Sequence, residues 1–166
     1  MTQCWNWSAP LIILSQTYQR SERKRGKRFT EIGPDRKDFI ENQKMFFVGT
    51  AAPDGRVNVS PKGMDSLRVI DDNRVVWLNL TGSGNESAAH VMENDRITLM
   101  FCAFEGSPLI LRLYGHAEVV HPRDAKWNEL YPLLPDTPGA RQIFDMQVDL
   151  VQEACGNAVP LLDFNE

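Results

Sequence analysis

The strongest constraint on the fold is a series of short apolar segments that are joined by tight turns. The segment 45–51 is followed by a Pro-Asp-Gly turn signal at 53–55, and the returning segment 56–61 alternates apolar and polar residues. This pattern predicts two antiparallel strands joined as a hairpin. The segments 67–70 and 74–80, which three polar residues separate, predict a second pair of strands.

The remainder of the chain continues in the same way. A nearly continuous apolar run at 96–104, a long segment at 109–120 and an alternating segment at 146–153 predict further strands. The pattern predicts only short helical segments between them: 34–43, one that follows Ser83, one that follows Pro122, and a turn at 140–144. Strands joined by hairpins with few helices favour a mainly β antiparallel barrel or sandwich.

Length and charge limit the domain organisation. The 166 residues suffice for one domain. We assign the domain to residues 28–166 and expect 1–27 to be a leader, flexible or outside the domain. The apolar stretch 10–14 within this leader is too short to span a membrane. The basic run 20–28 is either a solvated tail or a contact for RNA, an acidic partner or a membrane surface. A net charge of −4 argues against nucleic acid as the domain's partner.

The cysteines indicate a reducing compartment. Cys4, Cys102 and Cys155 are odd in number and widely spaced, and they form no metal-binding pattern. We therefore expect free thiols, a cytoplasmic location and no metal site. Because the apolar stretch 10–14 is short, we also expect no membrane anchor.

Polar residues that could bind a ligand lie where predicted strands end. Asn58, Ser60 and Lys62 leave one strand, and Asn79 and Thr81 leave another. A lysine at such a place can pair with a phosphate.

The segment 83–86, Ser-Gly-Asn-Glu, has two interpretations. It fits a capping box in which Ser83 is the N-cap and Glu86 reaches back to it. Alternatively, the free N–H groups of the helix start bind an anion, and Gly84 lets the backbone approach it. The spacing alone leaves both interpretations open.

Several motifs in fixed order resemble the pyridoxamine 5′-phosphate oxidase-like family. They are FFVGTA (46–51), DGRVNVSPKG (54–63), VWLNLTGSGN (76–85), LMFCAFEG (99–106), LRLYG (111–115), and CG (155–156) with VP (159–160). The resemblance extends from residue 28 to about residue 163.

The resemblance implies a six-stranded, Greek-key-like antiparallel split β-barrel that forms a homodimer with FMN in a groove shared by both subunits. It implies a set of cofactor-binding residues: Asn58, Ser60, Lys62, Trp77, Asn79, Thr81, Ser83, Asn85 and Arg112. Within this set, Ser60 and Lys62 match flavin and phosphate contacts, and Ser83 and Asn85 match the loop that closes on the phosphate.

Two departures from the family pattern limit the function that we expect. Residues 83–87 lack the basic residues of the Ser-Arg-Lys phosphate clamp, and the arginine and histidine segment that holds pyridoxal phosphate does not follow. We therefore expect an FMN-dependent oxidoreductase that acts on another small-molecule substrate. The alternatives are a flavin or haem carrier without turnover, with His90, His116 or His121 as haem ligand, and a split-barrel reductase that uses the deazaflavin F420.

Overall fold

The computed structural model describes residues 26–82 and 84–165. Within these ranges, eight strands and short helices follow one another. The elements are β1 (Lys27–Phe29), α1 (Pro34–Glu41), β2 (Met45–Thr50), β3 (Asn58–Gly63), β4 (Leu67–Asp71), β5 (Arg74–Leu80), α2 (Asn85–Glu93), β6 (Arg96–Cys102), β7 (Leu109–Val120), α3 (Trp127–Leu130), a 3₁₀ turn (Tyr131–Leu133) and β8 (Ala140–Cys155).

The strand order forces the sheet to curl. The order is β3-β2-β6-β7-β8-β5-β4, with β1 beside β8, and every observed pairing is antiparallel. Only residues 64–66 join β3 to β4, which lie at opposite ends of this order. Four Cα steps span about 15 Å at most, so the two edges must meet at this turn. Because no ladder pairs β3 with β4 among the described strands, the curled sheet stays open along this seam.

The turn that joins the two edges has an unusual backbone. Met64 and Asp65 both have positive φ angles, 61° and 55°. Residues other than glycine, asparagine and aspartate rarely adopt this backbone conformation. Arg68 donates to both carboxylate oxygens of Asp65 at 2.8 Å and to its backbone oxygen at 2.9 Å. This bidentate contact holds the turn closed.

The mainly β, split-barrel prediction is confirmed, with differences in the elements. Eight strands are present in the described residues instead of six. The helical turn predicted at 140–144 is wrong, because β8 begins at Ala140 and pairs with β5 and β7 on its two sides. The helix predicted after Pro122 begins only at Trp127.

Apolar residues pack on both faces of the central strands. On the inner face, the Trp77 ring stacks on Phe144 with centroids 4.7 Å apart and meets Phe46 edge-on at 6.4 Å. On the outer face, Leu78 and Ile143 pack with Leu130 of α3. The burial of β5 on both faces explains why its sequence is nearly continuously apolar.

An ion cluster stabilises the outer face beside α3. The Asp145 carboxylate, 5% exposed, accepts from Arg74 Nε at 2.9 Å and Nη2 at 2.7 Å, and lies 2.5 Å from Lys126 Nζ. Burial acts to raise the pKa of Asp145, but the hydrogen bonds from Arg74 and Lys126 outweigh it, so the pKa lies below its ordinary value.

Gly115 offers a test of the strand packing. The β7–β8 register shifts at Gly115, and a Cβ there would overlap the backbone oxygen of Gln147. We expect Gly115→Ala to destabilise the protein by about 1–3 kcal/mol, measured by urea unfolding. The matched control is Gly49→Ala, whose new methyl group meets Thr98 only at ordinary contact distance, 3.7 Å. Equal effects of the two substitutions would contradict the packing described for Gly115.

Asp145 predicts the acid sensitivity of the fold. Because its folded pKa is lowered, the carboxylate's contribution to stability is present above roughly pH 4, the ordinary aspartate value, and is lost as the pH falls through the folded pKa. Asp145→Asn should cost about 1–3 kcal/mol at pH 7, since Arg74 and Lys126 stay partly hydrated. It should also flatten the pH dependence of the unfolding midpoint below pH 4. The control Asp149→Asn, at an exposed position of the same strand, should change neither quantity appreciably.

Candidate functional site

The predicted residues of β3 form a row on the inner face of the sheet. Residues directly opposite each other in an antiparallel pair point to the same face. Asn58, Ser60 and Lys62 lie opposite Thr50, Val48 and Phe46 of β2, which are at most 4% exposed. The alternate residues of β3, such as Val59, point outward and are exposed. The row extends for about 13 Å along the strand.

Polar residues of β5 and β8 lie on the same inner face. Asn79 follows Trp77 by two positions and lies directly opposite Gln142 of β8. Asn79 and Gln142 are each 2% exposed. The β5–β8 register shifts just after this pair, and such irregularities redirect side chains near functional sites.

Five buried polar atoms in these elements have no hydrogen-bond partner in the described part of the chain. They are Asn58 Oδ1, Ser60 Oγ, Asn79 Nδ2, Ser87 Oγ and Gln142 Nε2. An unpaired buried polar atom costs about 1–3 kcal/mol, so native proteins rarely keep several together without a role. Their residues come from β3, β5, β8 and the first turn of α2.

The start of α2 lies between β3 and β5. Glu86 Oε2 accepts from Asn58 Nδ2 at 2.6 Å, which ties the helix to β3. On the other side, Gly84 lies against the Asn79 carboxamide so closely that a Cβ would overlap it. Gly84 is buried, and its small size is required for this contact.

The capping box predicted for this helix involves Ser83, which lies outside the described residues. The helix begins at Asn85, and its N-cap is Gly84 instead of the predicted Ser83. Glu86 forms a hydrogen bond to Asn58 of β3. This contact is made between elements 28 residues apart, and a local capping pattern cannot anticipate it.

Lys62 is a half-buried cation in the row. Burial lowers the pKa of its ammonium group, because the charge has lost part of its hydration. Among the described residues, no carboxylate lies within ion-pair distance of it. An anionic group bound near Lys62 would compensate its ammonium group for the lost hydration.

The other predicted residues are distributed differently. Thr81 donates its hydroxyl to Gly139 O at 3.2 Å and is exposed, and Asn85 is exposed in the first turn of α2. Trp77 has no exposed surface and its ring packs in the core, so its role in a cofactor site stays a prediction. Arg112 alternates with buried Leu111 and Leu113, which places it on the outer face, away from the β3 row.

We call the residues with unpartnered buried atoms, together with Gly84, the polar cluster. Three of its members were not among the predicted site residues: Gly84, Ser87 and Gln142. Gly84 was predicted only to let the backbone approach a ligand, and Ser87 belongs to no predicted motif. Gln142 lies in a segment that the sequence predicts to be helical, and only strand pairing places it opposite Asn79.

Two of the three histidines have side-chain partners in the protein. His90 Nδ1 is 3.1 Å from Thr50 Oγ1, and His116 lies between Asp95 at 2.8 Å and Asp149 at 3.6 Å. Within the described ranges, no three histidine, cysteine or acidic side chains converge as metal ligands would. In the same ranges, no helix has the length and apolar character needed to cross a bilayer.

Comparisons with known proteins give the family. The family model described as pyridoxamine 5′-phosphate oxidase matches residues 32–155. The pyridoxamine 5′-phosphate oxidase family protein ustO of Aspergillus flavus is 35% identical over 140 residues, which cover 81% of this chain and 56% of the relative. This chain therefore spans little more than half the length of that relative.

Solved structures share the fold at low sequence identity. A protein of Lactobacillus delbrueckii described as a "putative pyridoxamine 5′-phosphate oxidase" has a TM-score of 0.59 at 19% identity, covering 74% of this chain and 94% of its own. A single-substitution variant of HupZ from Group A Streptococcus has a TM-score of 0.60 at 22% identity, covering 74% and 98%. The segment that the family model matches, residues 32–155, contains β2 to β8 and the whole polar cluster. The chain belongs to the pyridoxamine 5′-phosphate oxidase family.

Proposed function

We propose that this chain binds FMN along the polar row of β3, beside β5 and the start of α2, and acts as a cytoplasmic FMN-dependent oxidoreductase on a small-molecule substrate. One observation carries the proposal: β3 has an inward-facing polar row on its unpaired edge, and five buried polar atoms of β3, β5, α2 and β8 have no hydrogen-bond partner among the described residues. Family membership supports it, because the resemblance that identifies the family also implies a flavin at these positions.

The chemistry of the cluster fits a phosphorylated flavin. The ribityl hydroxyls of FMN and the polar edge of its ring both donate and accept hydrogen bonds, as the carboxamide of Asn58 and the hydroxyl of Ser60 do. The phosphate needs donors and positive potential, which the start of α2 and Lys62 offer. A ligand with a long polar chain suits a row about 13 Å in length.

The protein's part in catalysis would be to position the cofactor. When bound, FMN supplies the redox chemistry by accepting and returning electrons. Asn58 and Ser60 would hold the ligand by hydrogen bonds, and Lys62 would keep a positive charge in a partly desolvated place, where electrostatic interactions are stronger than in water. The absence of basic residues at 83–87, where the oxidase has its Ser-Arg-Lys clamp, supports a substrate other than pyridoxamine phosphate.

A visible absorption spectrum of the purified protein tests the cofactor. We expect flavin bands, and FMN as the chromophore released on heating. A Soret band would instead indicate haem, and a deazaflavin spectrum would indicate F420. A colourless protein that does not bind added FMN would contradict the proposal.

Lys62 is expected to contribute to FMN affinity. Lys62→Met removes the charge but keeps much of the side-chain volume, and should weaken FMN binding by about 1–3 kcal/mol, measured by titration of flavin fluorescence. Glu86→Gln is the matched charge change of opposite sign, because glutamine can still accept from Asn58. It should bind FMN at least as tightly as the wild type, since a carboxylate near the phosphate is removed. Unchanged affinity in Lys62→Met would remove Lys62 from the site.

We also propose that the protein is a homodimer. Val57, Val59 and Met64, which lie just before, within and just after β3, are 63–75% exposed. An apolar edge strand is prone to association, and a second copy would cover it. A second copy would also give Arg112, on the outer face, access to a cofactor held by its partner.

The dimer can be tested at Val59. Val59→Lys places a charge on the exposed apolar edge and should shift the mass from dimer to monomer in light scattering after size-exclusion chromatography. The control Met92→Lys alters an exposed methionine on α2, 79% exposed, and should leave the mass unchanged. A monomeric wild-type protein would rule out the dimer.

A further inference from the structure

Three polar residues, spaced four apart along α2 and its C-cap, contact the hairpin formed by β2 and β3. The contacts are Glu86 Oε2 to Asn58 Nδ2 at 2.6 Å, His90 Nδ1 to Thr50 Oγ1 at 3.1 Å, and Asn94 Nδ2 to Ala51 O at 3.1 Å. Residues four apart lie on one face of a helix. The second and third contacts hold α2 against the hairpin independently of Glu86.

Glu86 determines which way the Asn58 carboxamide points. An ionised carboxylate accepts hydrogen bonds and donates none. Asn58 therefore faces Glu86 with Nδ2, in a short, charge-assisted contact of 2.6 Å. In the reversed orientation, Oδ1 of Asn58 would lie against a carboxylate oxygen, and two acceptors repel each other. Only one orientation of the carboxamide is compatible with Glu86.

This orientation directs a hydrogen-bond acceptor into the site. Asn58 Oδ1 is buried and has no hydrogen-bond partner among the described residues. Its side chain lies on the inner face, because Asn58 is directly opposite Thr50, which is 3% exposed. A carboxamide oxygen accepts and never donates. A ligand that satisfies Asn58 Oδ1 must therefore bring a donor.

We infer that Glu86 is a positioning residue, which turns Asn58 so that Oδ1 accepts a hydrogen bond from an N–H or O–H group of the ligand. The inference rests on the proposed function, and Glu86 is not among the residues that the family resemblance assigns. A flavin has two donors of this kind, the N–H of its ring and the hydroxyls of its ribityl chain. Glu86 acts on the ligand only through Asn58.

The test reverses the orientation of Asn58 and keeps its contact with α2. In Glu86→Lys the new ammonium group donates to Asn58 Oδ1, so the carboxamide turns and presents Nδ2 to the ligand. Riboflavin is the probe, because it carries both donors and has no phosphate that the added charge could attract. Glu86→Lys should weaken riboflavin binding about three- to tenfold, measured by fluorescence titration.

A second substitution should restore the affinity. Adding Asn58→Asp to Glu86→Lys places a carboxylate opposite the new lysine. A carboxylate has two equivalent oxygens, so one accepts from the lysine while the other faces the ligand as an acceptor. Riboflavin affinity should return to within about twofold of the wild type. A displaced helix or an unfavourable charge at position 86 would not be corrected by an acceptor at position 58.

Glu93→Lys is the matched control. It makes the same charge change at the exposed end of the same helix and should leave riboflavin affinity unchanged. Lumiflavin, which keeps the ring N–H but has no ribityl chain, identifies the donor. A loss of affinity in Glu86→Lys for both ligands assigns the ring N–H, and a loss for riboflavin alone assigns a ribityl hydroxyl.

NMR of the ligand-free protein reports the contact directly. The Asn58 side-chain amide signal, assigned by its disappearance in Asn58→Asp, should lie downfield in the wild type because of the bond to the carboxylate. Glu86→Ala should move this signal to the position of a free side chain, and Glu93→Ala should leave it in place. An Asn58 signal that does not respond to Glu86→Ala would overturn the positioning role, whatever the flavin titrations give.

The remaining outcomes separate this inference from the proposed function. Equal riboflavin affinity of the wild type and Glu86→Lys would overturn the inference while the proposed flavin site stands. A loss that Asn58→Asp does not restore, or that Glu93→Lys reproduces, would attribute the effect to charge and also overturn it. If the wild type binds neither FMN nor riboflavin, the proposed function fails and the acceptor role of Asn58 fails with it.

Discussion

The short connection between β3 and β4 is the constraint on which the rest of this structure depends. These strands lie at opposite ends of the strand order, yet only residues 64–66 separate them in the chain. The sheet must therefore curl until its edges meet at one turn, held by the contact between Arg68 and Asp65. A complete ladder between the edges would close the barrel and pair their backbone groups. Its absence among the described strands leaves a seam.

The seam explains why polar groups face inward at this place. Elsewhere the inner face carries an apolar core around Trp77, Phe144 and Phe46. Along β3 the inner positions are Asn58, Ser60 and Lys62, and α2 begins beside them. The unpaired buried atoms reduce the stability of the free protein. Proteins commonly keep such local conflicts at functional sites, where a ligand resolves them.

Much of the fold could be predicted from the sequence, because its signals are local. The alternation in β3, the apolar run of β6 and the turn before β3 each depend on neighbouring residues. The predictions failed where distant contacts decide. The segment that begins at Ala140 has no clear strand pattern, but pairing with β5 and β7 on both sides makes it part of the long strand β8. Likewise, the hydrogen bond between Glu86 and Asn58 joins elements 28 residues apart, and no local pattern predicts it.

The sequence by itself determined the mainly β class, the family and the candidate residues of β3 and β5, since these follow from local patterns and from motif order. Only the tertiary structure decided which candidates share a face of the sheet. It placed Asn58, Ser60, Lys62 and Asn79 on the inner face, Arg112 on the outer face, and Gln142 opposite Asn79. The physical reason is that strand register fixes the face of every side chain, and register is set by pairing between segments that lie far apart in the chain.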